Sequence, residues 1–127
     1  MRPRAIGMLT AALAVVALLV VDLPAPAAAA DVHVGRTVTT GLRTPWGMAF
    51  LPDGSALVSE RDTGRIVRVP ASGGNARLVG RVRQTRAAGE GGLLGLAVPP
   101  GANPSFVFAY VTTATDNRVL RIDWDGR

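Results

Sequence analysis

Few side chains in this chain could take part in chemistry. Glu90 stands among glycines in Gly89-Glu90-Gly91-Gly92. Glycines allow close backbone approach to a bound molecule, and a carboxylate held there accepts hydrogen bonds from hydroxyl groups. The same four residues also read as a plain glycine-rich turn with a solvated glutamate, and the residues alone favour neither reading. Glu60-Arg61 is a second charged pair, read as bracing a strand end through local hydrogen bonds. The single histidine, His33, lies ahead of the first expected strand. The 127-residue sequence has no cysteine, and its 14 basic residues are all arginine. These counts exclude a Schiff-base lysine, a phosphate-cradling GK[ST] loop, a thiol nucleophile, a disulfide framework and cysteine-ligated zinc. One histidine makes no histidine-rich metal cluster. The carboxylates are scattered, without the paired arrangement that glycoside hydrolysis needs.

The arginines have one dense stretch, with Arg77, Arg81, Arg83 and Arg86 inside ten residues. An anionic partner, either a membrane surface or nucleic acid, is one reading. The other is a solvated outer strand carrying Arg77, Val79, Arg81 and Arg83 on one face. The second is preferred, because no aromatic platform for bases interleaves the arginines. Trp46 and Trp124 read as packing aromatics rather than substrate stackers.

Something must position these residues, and the pattern predicts strands. Gly47–Leu51, Ala56–Glu60, Arg65–Val69, Ala76–Val82, Gly92–Val98, Val107–Thr112 and Arg118–Trp124 are short apolar or alternating runs. Turn residues separate them, with Pro52-Asp53-Gly54 the strongest signal. The pattern also repeats. Gly47-Met48-Ala49-Phe50-Leu51-Pro52 aligns with Gly95-Leu96-Ala97-Val98-Pro99-Pro100 at an offset of 48, and Arg65–Val69 with Arg118–Ile122 at an offset of 53. A repeat of about 50 residues built from short strands is the mark of propeller blades. The early strands of each copy are near-continuous apolar runs, which predicts cover on both faces. The later strands alternate, which predicts half-exposure.

The first thirty residues read as an address. Arg2 and Arg4 precede the uncharged run Ala5–Val21, which is 17 residues long. Small residues at Ala28 and Ala30 then place a cleavage site before Asp31. This is the order of a secretory signal peptide; an uncleaved membrane anchor is the alternative. Residues 31–127 would remain, 97 in number and with a net charge of +4. That is about two blades, whereas propellers close with roughly four to eight. The expectation is therefore an all-β fold: a partial β-propeller of about two four-stranded antiparallel blades, exported and part of a longer protein.

Three passages resemble the glucose/sorbosone dehydrogenase family, the soluble sugar dehydrogenases that use pyrroloquinoline quinone (PQQ). They are LRTPWGMAFLPDG (Leu42–Gly54), LVSERDTGRIVRV (Leu57–Val69) and GEGGLLGLAVPP (Gly89–Pro100), with DNRVLRIDWDG a weaker fourth. The resemblance implies a six-bladed propeller that oxidises a sugar or aldehyde by hydride transfer to the quinone, with a histidine base. It implies PQQ and calcium as cofactors, and a separate electron acceptor as partner. It also implies that Glu90 occupies the position where relatives place Gln or Glu facing the sugar pocket. The family's catalytic histidine and its arginine, lysine and asparagine contacts to the quinone match no position in this sequence, and His33 is not that base. The implied role is the N-terminal part of an exported sugar dehydrogenase, inactive as a fragment. A non-catalytic extracellular propeller that acts as a binding module and a lactonase-type propeller hydrolase are the alternatives.

Overall fold

The computed structural model describes residues 31–125; the expected signal peptide lies outside them. Seven strands follow in chain order: β1 Pro45–Phe50, β2 Ala56–Glu60, β3 Arg65–Val69, β4 Arg77–Arg81, β5 Leu93–Ala97, β6 Phe106–Thr112 and β7 Asn117–Asp123. Each sits within two residues of its sequence-based expectation. They form two antiparallel sheets, ordered β1-β2-β3-β4 and β5-β6-β7. The first has the expected four strands, and the second has three among the described residues.

Tight turns make consecutive strands neighbours. At Pro52–Ser55 the Leu51 amide donates to the Ser55 carbonyl (2.8 Å), and the Gly54 amide to that of Leu51 (2.9 Å). Gly54 has φ +80°, a conformation that favours glycine. Asp53 accepts from both the amide and the hydroxyl of Ser55 and pairs with Arg68 on β3. Those hydroxyl and amide bonds, with Arg68, hold its carboxyl below the usual range.

The two sheets pack face to face. Leu57 and Ile66 on the first meet Leu93, Val107, Ala109 and Val111 on the second, all buried, with Leu120, Ile122 and Trp124 at the margin. A second cluster occupies the other face of the first sheet, where Val58, Val67 and Val69 lie under Leu42 and Ala76. The sheets come closest where β1 meets β5. A Cβ on Gly47 would collide with the Leu94 carbonyl and stand 3.0 Å from the Cα of Gly95. Ser59, fully buried, bridges the same point: its hydroxyl accepts from the Gly47 amide (2.8 Å) and donates to the Leu94 carbonyl (2.5 Å).

Burial departs from the sequence expectation. Cover on both faces does not fall on the opening strand, since Trp46, Met48 and Phe50 of β1 are 51%, 59% and 66% exposed. It falls on β2, every residue of which is buried, and β3 is largely buried instead of half-exposed. The reason is position. β1 and β4 are sheet edges, while β2 and β3 lie between one cluster and the other. The arginines of β4 depart too. Ile66 pairs with Gly80 and Val67 with Leu78, so Val79 is an extra residue, a β-bulge. One inserted residue inverts the alternation. Arg77 therefore pairs with Arg68 and Arg81 with Arg65, on opposite faces, and Arg83 lies beyond the strand. The single arginine face expected there does not exist.

Candidate functional site

Antiparallel order brings the chemistry-bearing residues to one end of the sheets. β1, β3, β5 and β7 begin there, and β2, β4 and β6 finish there. The end carries Glu60, the 61–64 turn, the 82–92 connection with Glu90, and the 113–116 turn.

Glu60 is the foundation of this end. It is 2% exposed, and both of its oxygens are used. Oε1 accepts from the Arg43 amide (3.0 Å) and Oε2 from the Thr63 hydroxyl (2.8 Å), with Arg65 Nε 3.7 Å from Oε2. Burial pushes its pKa up, but the Arg43 amide, the Thr63 hydroxyl and the charges of Arg65 and Arg43 outweigh burial and hold the carboxyl below its ordinary value. Glu60 is thus the strand-end brace that its sequence context suggested. Its neighbour Arg61 lays its guanidinium 5.1 Å from the ring centre of Trp46 and pairs with Asp62 at 2.8 Å. Asp62 in turn accepts from the Thr44 hydroxyl (2.8 Å), and the Thr44 carbonyl accepts from the Arg61 amide (2.9 Å). These contacts hold Thr44 at φ +44°, a strained conformation for a β-branched residue.

The Glu90 loop is tied to this foundation. The Leu93 amide donates to the Arg61 carbonyl (3.0 Å), the Thr112 amide to the Gly92 carbonyl (2.9 Å), and the Gly91 amide to the Ala88 carbonyl (2.9 Å). Gly92 has φ +146°, and a Cβ there would lie 2.5 Å from Arg61 Cγ and 2.6 Å from the Arg61 carbonyl oxygen. Only glycine permits the loop to sit against the 61–64 turn. Glu90 itself is exposed at the tip. Its side chain has no hydrogen-bond or ion-pair partner among the described residues. A carboxylate presented this way, on a loop leading directly into the strand that approaches β1, is available to accept hydrogen bonds from a small hydroxylated molecule.

The other singled-out residues divide. His33 is exposed, ahead of β1. Trp124 packs against the core as expected, with the Arg68 guanidinium 6.0 Å from its ring centre. Trp46 does not pack in this way, being half-exposed under Arg61. Sequence reasoning missed Ser59, whose only signal is a polar residue next to Glu60 at the end of the central strand. Among the described residues, no three His, Cys, Asp or Glu side chains gather as a metal site, and no helix is long and apolar enough to cross a membrane.

Two adjoining antiparallel sheets, closest at their first strands, are the arrangement of neighbouring blades in a propeller. The glucose/sorbosone dehydrogenase family model matches residues 42–125. The chain belongs to that family. It is 48% identical to the aldose sugar dehydrogenase of Streptomyces coelicolor, solved in its PQQ-bound form, with a TM-score of 0.70 over 74% of this chain and 28% of that one. It is 38% identical to an oxidoreductase of Thermus thermophilus described as a glucose dehydrogenase, with a TM-score of 0.62 over 72% of this chain and 27% of that one. An uncharacterized protein of Synechocystis sp. is 38% identical over 101 residues, 70% of this chain and 24% of the relative. The chain spans about a quarter of the length of these relatives.

Proposed function

We propose that the chain forms the first two blades of a six-bladed propeller in an exported, PQQ-dependent sugar dehydrogenase. The observation that carries this reading is the match of the paired sheets to an aldose sugar dehydrogenase solved with PQQ bound. The surfaces of the sheets agree with it. Met48, Phe50 and Leu78 leave the outer side of the first sheet apolar and exposed, and Phe108, Tyr110 and Val119 do the same for the second. Neighbouring blades would cover both.

In this reading the sugar's anomeric hydroxyl is oxidised, and PQQ, when bound, supplies the hydride acceptor. The contribution of this chain is to bind and orient. Glu90 accepts a hydrogen bond from a sugar hydroxyl and fixes the ring's position. Gly91 and Gly92 hold the loop close against Arg61 and Thr112, so that Glu90 stands at a fixed height over β5. Glu60, fully engaged and buried, takes no proton and serves as the support. No described residue is assigned as the base. No calcium ligand or quinone contact is assigned to a described residue. Residues 1–30 direct export and are removed before Asp31.

The test is a dye-linked assay on the full-length protein, with and without PQQ and calcium, across neutral aldoses and aldehydes. Quinone-dependent reduction is expected with at least one aldose. Absence of quinone-dependent turnover across the panel would overturn the assignment.

A further inference from the structure

The second feature of the Glu90 end is a cleft of about 490 Å³ between the Arg83–Arg86 segment and the 113–115 turn. Arg83, Arg86 and Arg118 line it, together with Gln84, Thr113 and Thr115. Its charge is unbalanced. Arg118 is held by Asp116 through two contacts, Nε to Oδ1 at 2.7 Å and a terminal nitrogen to Oδ2 at 2.6 Å. Arg83 and Arg86 have no acidic partner within 4.0 Å among the described residues. Two arginines with no acidic partner of their own thus line the cleft.

The wall that carries them is fixed. The Val82 amide donates to the Gly64 carbonyl (2.8 Å), the Thr85 hydroxyl to the Val82 carbonyl (2.7 Å), and the Arg86 amide to the Thr112 carbonyl (2.8 Å). Thr112 is also the residue whose amide holds Gly92. One backbone position therefore supports both the arginine wall and the Glu90 loop.

We propose that this cleft binds a small anion through carboxylate or phosphate oxygens, and that the anion is a reactant of the neighbouring sugar site. Guanidinium forks match such oxygens in geometry and give the stronger, charge-assisted class of hydrogen bond. The recess has room for a small molecule. The cleft has no aromatic lining for stacked bases. The anion is either an acidic sugar or a negatively charged electron acceptor. This assignment to the reaction rests on the dehydrogenase reading; the binding itself does not.

Calorimetric titration of the full-length protein with inorganic pyrophosphate at low salt reads binding without turnover. Saturable binding is expected. The double variant Arg83→Gln/Arg86→Gln should weaken it by about tenfold or more, and Arg77→Gln, at the opposite end of the sheets, should leave it unchanged. A complementary measurement needs no variant: pyrophosphate should protect Arg83 and Arg86 of the wild-type protein from phenylglyoxal, followed by peptide mass mapping. No saturable binding, or no protection, overturns the site even if the enzyme is active. In the dye-linked assay the double variant should raise KM for ferricyanide relative to an uncharged quinone if the anion is the acceptor. It should raise KM for a uronic acid relative to its neutral aldose if the anion is the sugar. Ratios that move for neither overturn the link to the reaction, whereas pyrophosphate binding in a protein without quinone-dependent turnover would overturn the dehydrogenase reading alone.

Discussion

Two glutamates at the same end of the molecule have opposite fates. Glu60 is buried with both oxygens engaged, and Glu90 is exposed on a glycine-flanked tip. A carboxylate is costly to bury unless donors surround it, and the 43–44 and 61–65 segments supply those donors to Glu60. The fold commits one acid to construction and leaves the other available for binding. The connection between them is mechanical: Glu60 sets the 61–64 turn, Arg61 of that turn holds Gly92 and Leu93, and Glu90 is carried on the result.

The largest effect should come from breaking that connection. Gly92→Val places side-chain atoms where Arg61 already stands, in a conformation that a β-branched residue rarely adopts. It should cost about 3 kcal/mol or more of stability in the full-length protein, measured by urea denaturation. Wild-type stability would show that the two glutamates are structurally independent. Next is Glu60→Ala, which strands the Arg43 amide, the Thr63 hydroxyl and Arg65 Nε. The last of these is buried and makes no hydrogen bond of its own. A loss of about 2–4 kcal/mol is expected, and a loss within about 0.5 kcal/mol, the range of ordinary surface substitutions, would place Glu60 among the dispensable acids.

Acid should probe Glu60 more gently. The folded-state pKa of Glu60 is depressed, so its stabilising contribution is present above the ordinary carboxylate range. It is lost as pH falls through the depressed value. Melting temperature should therefore fall more steeply on acidification in the wild type than in Glu60→Gln. Parallel profiles for the two would contradict the assignment. The smallest effect on the fold, and the one specific to binding, is that of Glu90→Ala. Stability should change by no more than about 0.5 kcal/mol, while kcat/KM for the sugar falls about tenfold, equivalent to about 1.4 kcal/mol. Unchanged kinetics would overturn the proposed role of Glu90.

These contrasts also mark what the sequence could reveal. Strand positions were legible because turn residues and apolar runs are local: Pro52-Asp53-Gly54 ends β1 and opens β2 whatever surrounds them. The family was legible from three motifs in order, and the brace role of Glu60 from its place at a strand end. Burial was not legible, because it depends on which sheet face meets which. β1 and β2 both carry apolar runs, yet one is an edge and the other is covered on both sides. The Val79 bulge was hidden for a related reason: it is a feature of pairing with Ile66 and Val67, and without it Arg77 and Arg81 read as one face. The arginine cleft was hidden with it, since Arg83 belongs to the connection beyond the strand and shares the cleft with the 113–118 segment, distant in sequence.

The close approach of β1 to β5 has a geometric consequence. The two sheets are unequal partners in their contact: β1 and β2 of the first present one face, and β5 of the second presents another. Such a joint is heterologous, and it can be applied again on either side. Repeated joints of this kind give a ring when the accumulated rotation returns to its start, and an open fibre when it does not. The missing Cβ of Gly47 and the hydroxyl of Ser59 set the separation of the sheets at that joint. Two small residues at that joint thereby bear on whether a succession of blades comes full circle.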